Sequence, residues 1–123
     1  HARRQELAEG YLDAFSELPV QLPARPPEGD IHAWHLFILR IPTEAPIDRD
    51  GFIATFAEHG VGTSVHFIPL HLHTVWRDSL GLKPQQFPNA TGQFERVVSL
   101  PLFSSMTEQQ CGRVVDLATR VLR

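Results

Sequence analysis

The stretch Ala33-Trp34-His35-Leu36-Phe37-Ile38-Leu39-Arg40-Ile41 is apolar on both of its alternating faces. Successive side chains of a strand point to opposite sides. His35, Phe37, Leu39 and Ile41 therefore share one face, and Trp34, Leu36, Ile38 and Arg40 the other. A strand with one face in water would carry polar residues on that side. This one predicts a central strand covered on both faces, and with it a small sheet under packed helices.

Upstream, Leu7, Tyr11, Ala14, Phe15 and Leu18 recur at spacings of three and four, which predicts a helix with one apolar stripe. Pro19 ends it, and Pro19, Pro23, Pro26, Pro27 and Gly29 leave no room for another helix before the strand. Downstream, Asp48 is placed to cap a helix running through Ala54 and Phe56 to His59, with Ile47 as a hydrophobic staple and Gly60 as a left-handed stop. Gly62 to Ile68 alternates again and predicts a second strand, with Val65 and Phe67 on one face and Ser64, His66 and Ile68 on the other. From Pro69 to Gly92 the pattern dissolves into an irregular excursion with a helical turn near Trp76. Val97 to Leu100 predicts a third short strand closed by Pro101. Thr107 and Gln110 form a capping box for a last helix whose stripe is Cys111, Val114, Val115, Ala118, Val121 and Leu122.

The order helix, strand, helix, strand, strand, helix predicts one α+β domain over residues 1–123, a small antiparallel sheet of about three strands with helices on one face. Three helices cover only one face, so the side carrying Trp34, Leu36 and Ile38 calls for a partner surface.

With 42% hydrophobic and 20% charged residues and a formal charge of −3, the chain has the make-up of a globular domain and no basic block for nucleic acid or anionic lipid. No apolar run is long enough to span a bilayer. A single cysteine, Cys111, cannot form an internal disulfide, and a reducing cytoplasm is the expected setting. His1 in place of a methionine, joined to Ala2-Arg3-Arg4-Gln5, reads as a tag remnant or a cut in a helix already under way.

Histidine is the residue type that could carry chemistry: His32 and His35 flank the first strand, and His66, His71 and His73 gather around the second. No metal is expected, since neither a Cys-x-x-Cys nor a His-Glu-x-x-His frame exists. No Gly-x-Ser-x-Gly elbow marks a serine nucleophile, and Gly60 with Gly62 is no phosphate fingerprint. Asn89-Ala90-Thr91 fits a glycosylation tripeptide, which without a secretory signal is a chance match.

Five phrases then occur in order: His32-Ala33-Trp34-His35-Leu36-Phe37-Ile38; Asp48-Arg49-Asp50; Gly60-Val61-Gly62-Thr63-Ser64-Val65-His66-Phe67-Ile68-Pro69-Leu70-His71; Phe87-Pro88-Asn89-Ala90; and Ser99-Leu100-Pro101-Leu102-Phe103. Together they resemble the C-terminal third of the DegT/DnrJ/StrS aminotransferases, over nearly the whole chain. The resemblance implies the small domain of a fold-type-I enzyme that uses pyridoxal phosphate. Such an enzyme moves an amino group from an amino acid, commonly glutamate, to a keto-sugar on a nucleotide. The nearest flavour makes 4-amino-4-deoxy-arabinose for lipid A, and other members serve surface polysaccharides or antibiotics.

The family's cofactor lysine forms an aldimine, and the resemblance places it in the large domain, together with the grip on the cofactor phosphate. Lys83, the single lysine here, stands between Leu82 and Pro84 and matches no such context. The chain alone is therefore expected to be catalytically silent, with no catalytic residue of its own. The resemblance implies His66, and less strongly His71, as residues near sugar and cofactor, with the large domain and a second copy as partners. The rival expectation is a free-standing, non-catalytic interaction module of the same fold.

Overall fold

The computed structural model describes all 123 residues, from His1 to Arg123. Helix α1 spans Ala2–Ala14 and buries Leu7, Ala8, Tyr11 and Leu12. Phe15 and Leu18 continue its apolar stripe in the turn beyond it and are buried too. Tyr11, Phe15 and Phe37 form one aromatic cluster, with ring centres 5.5 Å apart for Tyr11–Phe15 and 5.1 Å for Tyr11–Phe37. Edge and offset contacts of this kind add to the burial of the rings themselves.

Strand β1 is Phe37–Arg40 and pairs antiparallel with β2, Val97–Leu100. The register sets Phe37 opposite Leu100 and Leu39 opposite Val98, so these four share the face that the helices cover. Ile38, Arg40, Val97 and Ser99 take the other face. Gln21 adds a single bridge to Arg40 on the outer edge of β1, and Ser64 one to Ser99 on the outer edge of β2. The fold is α+β, with five helices and a small antiparallel sheet.

The first strand is shorter than its alternation predicts, and the cause is a kink at Trp34. Trp34 has φ of 45°, a left-handed conformation that bulky residues rarely adopt. Side chains hold it there: Arg4 donates from Nη1 to the carbonyls of Trp34 and His35 at 2.9 and 3.2 Å, and the Trp34 amide donates to His32 Nδ1 at 3.0 Å. The kink carries Trp34 to the Phe37 side, where the two rings stack at 6.0 Å and Trp34 is buried. Leu36 and Ile38 remain half-buried on the opposite side.

The second predicted strand is a larger correction. Of Gly62 to Ile68 only Ser64 pairs, through mutual amide-to-carbonyl bonds with Ser99 of 3.1 and 2.8 Å. The rest is extended chain without a ladder partner. Alternation reports faces, not a neighbour to bond with, and beyond Ser64 there is none.

Helix α2, Arg49–Glu58, begins where Asp48 accepts a bond from the Gly51 amide at 2.8 Å. A Cβ at Gly51 would lie 2.8 Å from Ile47 Cγ1, so the staple fits only against glycine. Phe52 and Phe56 stack at 4.1 Å on the buried side. Gly60, at φ of 69°, turns the chain out, and Arg113 donates to the His59 carbonyl at the same end.

The excursion holds more helix than the sequence suggests. A one-turn 3-10 segment, Leu70–Leu72, leads to α3, Thr74–Leu80, which includes Trp76 and stops at left-handed Gly81. A second turn, Pro84–Gln86, precedes α4, Pro88–Phe94. Helix α5, Glu108–Leu122, has the expected capping box and buries Val114, Leu117, Ala118 and Leu122. No helix is long and apolar enough to cross a membrane.

Candidate functional site

The arm from Val65 to His73 leaves the sheet edge after the Ser64 bridge and carries three histidines in three different settings. His66 is exposed, and its ring meets only the edge of the Phe67 ring at 5.4 Å. An imidazole so placed offers a donor and an acceptor to an incoming ligand. His73 is also exposed, with Nε2 3.0 Å from the Ile68 carbonyl, a contact that folds the arm on itself.

His71 is different. It is 5% exposed, stacks on Phe87 at 4.6 Å, and brings Nε2 to 2.8 Å from Thr91 Oγ1. The sequence pairs His66 and His71 as one candidate site; the structure sets the first outward and the second inside the excursion's own packing. Thr91 and Phe87, which complete the His71 contacts, carry no local signal of that role because they lie in another turn of the chain.

The arm and α3 are also unusually apolar on the outside. Phe67 is 86% exposed, and Leu70, Val75, Trp76 and Leu80, further along the same stretch, are exposed as well. Large apolar side chains exposed in such number are uncommon on a free protein surface.

The residues present do not fit a resident pyridoxal phosphate. Lys83 is exposed at the start of the Pro84–Gln86 turn, without the burial that would lower an amine's pKa for aldimine formation. The enclosed reactive groups are elsewhere: the Tyr11 hydroxyl donates to the Pro101 carbonyl at 3.0 Å, and burial pushes its pKa up. Burial likewise raises the Cys111 thiol, half-buried beside it. Both are held neutral in the core, unsuited to nucleophilic work. No three His, Cys, Asp or Glu side chains converge as a metal would require.

Comparison with known proteins settles the lineage. The DegT/DnrJ/EryC1/StrS aminotransferase family matches residues 1–119. The chain belongs to this family. Among curated relatives, the spore coat polysaccharide biosynthesis protein SpsC of Bacillus subtilis is 34% identical, over 98% of this chain and 32% of its own. Protein MJ1066 of Methanocaldococcus jannaschii is 38% identical over 98% of this chain and 31% of its own.

Solved structures agree. DesV of S. venezuelae, in complex with a ketimine intermediate, superposes with a TM-score of 0.82 at 30% identity, covering 97% of this chain and 31% of that one. The sugar aminotransferase candidate Spr1654 of Streptococcus pneumoniae, in its PLP form, gives 0.85 at 25% identity, over 99% and 32%. This DegT/DnrJ/EryC1/StrS chain thus spans about a third of the length of the relatives it matches, and its fold is that of their C-terminal domain.

Proposed function

We propose that residues 1–123 form the C-terminal small domain of a pyridoxal-phosphate-dependent aminotransferase. The parent enzyme moves an amino group from an amino acid, with glutamate as donor, to a nucleotide-linked keto-sugar destined for a surface polysaccharide or for lipid A. The observation that carries the reading is the family match over residues 1–119 combined with coverage of only 32% of SpsC. The exposed apolar arm supports it, because a large domain or the second subunit of a homodimer would cover Phe67, Leu70 and Trp76.

The cofactor, when bound on the large domain, supplies the electron sink for amino transfer. Residues of this chain do the work of the sugar side. His66 donates or accepts a hydrogen bond at a sugar hydroxyl or the sugar-linked phosphate and orients the keto carbon. The arm's apolar residues exclude water from the closed site. No group in this chain carries the proton between carbon and nitrogen, so residues 1–123 alone are inactive. The enzyme works in the cytoplasm, where nucleotide sugars and a reduced Cys111 are compatible.

The test is to purify the full-length protein, supply pyridoxal phosphate and glutamate, and follow 2-oxoglutarate against a panel of nucleotide-linked keto-sugars. Sugar-dependent 2-oxoglutarate formation with at least one member is expected. None above the sugar-free rate with any member would overturn the reading.

A further inference from the structure

Of the seven histidines, His71 alone is buried. Its surroundings say what the ring is for. Between the Ser64 bridge and Pro69, no main-chain group pairs with another main-chain group. Within the arm, His73 Nε2 meets the Ile68 carbonyl at 3.0 Å, but the ties that pin the stretch carrying His66 to other parts of the chain are two, the Ser64–Ser99 bridge before it and the His71 contacts after it. Helix α3, next along the chain, buries no residue of its own and gives the arm no anchor in the core.

The contacts of Thr91 define the chemistry of that second pin. Its Oγ1 lies 2.8 Å from His71 Nε2 and 3.2 Å from the Pro84 carbonyl. A hydroxyl has one proton, and a carbonyl can only accept. Both contacts are hydrogen bonds at once only if Thr91 donates to Pro84 and accepts from an Nε2–H of His71. The arrangement thus requires a proton on Nε2 of the ring. Phe87, stacked on the ring 24° from parallel, covers one face of it.

We propose that His71 is a positioning residue: through Nε2–H it fastens the arm to Thr91, fixes where His66 stands, and itself touches neither substrate nor cofactor. An unpinned arm would have to be ordered by each incoming ligand, at a cost in backbone entropy for every residue fixed. The clasp removes part of that cost before binding. Its loss raises KM and leaves the chemical step alone.

The proposal rests on the reading that this arm borders the sugar site, and the experiment keeps the two separable. Four variants are made in the full-length enzyme. His71→Gln sets an amide N–H where Nε2–H stands, whereas His71→Asn is too short; Thr91→Ser keeps the hydroxyl, whereas Thr91→Val removes it at equal volume. The first readout needs no ligand: hydrogen exchange at the Leu72 and His73 amides, which bond to the Pro69 and Leu70 carbonyls. Exchange there is expected to quicken about fivefold or more in His71→Asn and Thr91→Val, the scale of one lost buried hydrogen bond, and to stay near wild type in His71→Gln and Thr91→Ser. Amides of α5 stay unchanged in all four.

The second readout is the amino transfer of the panel assay. KM for the active keto-sugar rises in the same two variants while kcat stays within about twofold. Unchanged exchange at Leu72 and His73, or exchange that quickens equally in α5, overturns the clasp. A collapse of kcat at constant KM overturns the positioning role and puts His71 at the reacting atoms. If wild type is inactive with every keto-sugar, the proposed function has failed, and the exchange measurement alone decides the clasp.

Discussion

Arg49, in the first turn of α2, donates from Nη1 to the Phe94 carbonyl at 3.0 Å while its guanidinium carbon lies 5.3 Å from the centre of the Phe94 ring. A cation in a first turn opposes the helix dipole. Asp50, 2.5 Å away, and the carbonyl at the end of α4 offset that cost. The side chain is only 10% exposed, so its bonds are sheltered from water and join the start of α2 to the end of α4.

Arg49→Ala should therefore cost about 2 kcal/mol, the sum of a charge-assisted hydrogen bond and a part-buried cation–π contact. Arg49→Lys should recover less than half, because an ammonium cannot make the planar contact and the bond together. Urea midpoints of the three proteins check this. A loss below about 0.5 kcal/mol would make the pairing a surface ornament.

Gly51 and Ile47 give a coupled prediction. Gly51→Ala pushes a Cβ against the Ile47 side chain and should destabilise by roughly 1–3 kcal/mol, the usual scale of overpacking. In an Ile47→Ala background the same change should be neutral or stabilising, since alanine is the better helix former. A double-mutant cycle reads the difference, and additivity of the two changes would refute the close approach.

The alternation of Phe37, Leu39 and Ile41 and the box of Thr107 with Gln110 were legible because each depends on neighbours within a few residues. The kink at Trp34 was not, because Arg4, some thirty positions away, supplies the bonds that hold it. The arm deceived the pattern in another way. Val65 and Phe67 alternate as a buried strand does, yet both are exposed, with no residue of this chain packed over them. His66 and His71 stand close together in one phrase, and nothing local distinguishes them; Phe87 and Thr91 do, from across the excursion.

Tyr11 predicts a response to alkali. Its folded pKa lies above the ordinary value of 10.0 because burial disfavours the phenolate, with the nearby Cys111 a lesser cause in the same direction. The folded state holds the proton more tightly than the unfolded one, so the group's contribution is complete below about pH 10 and is lost as pH rises from there. Cys111 shifts the same way, so the comparison is made in a Cys111→Ala background. Between pH 8 and 11, Tyr11→Phe should lose less stability than its parent. Equal losses would show that the hydroxyl is not enclosed.

His66→Ala in the full-length enzyme should lower kcat/KM for the keto-sugar by about tenfold to a thousandfold, or about 1.4–4 kcal/mol of transition-state stabilisation. The melting temperature should hardly move, since the ring is exposed and packs only on Phe67. Intact kinetics with a melting temperature lowered by several degrees would reverse the assignment and make the ring structural.

The division of labour between this domain and the rest of the enzyme is tested most directly by locating the cofactor. The full-length protein is incubated with pyridoxal phosphate, reduced with borohydride, digested and mapped by mass spectrometry. The account predicts one stoichiometric pyridoxyl label on a lysine outside the stretch His1 to Arg123, and an unlabelled Lys83. A stoichiometric label on Lys83 would contradict it, because the cofactor would then sit on the domain assigned here to the sugar side alone.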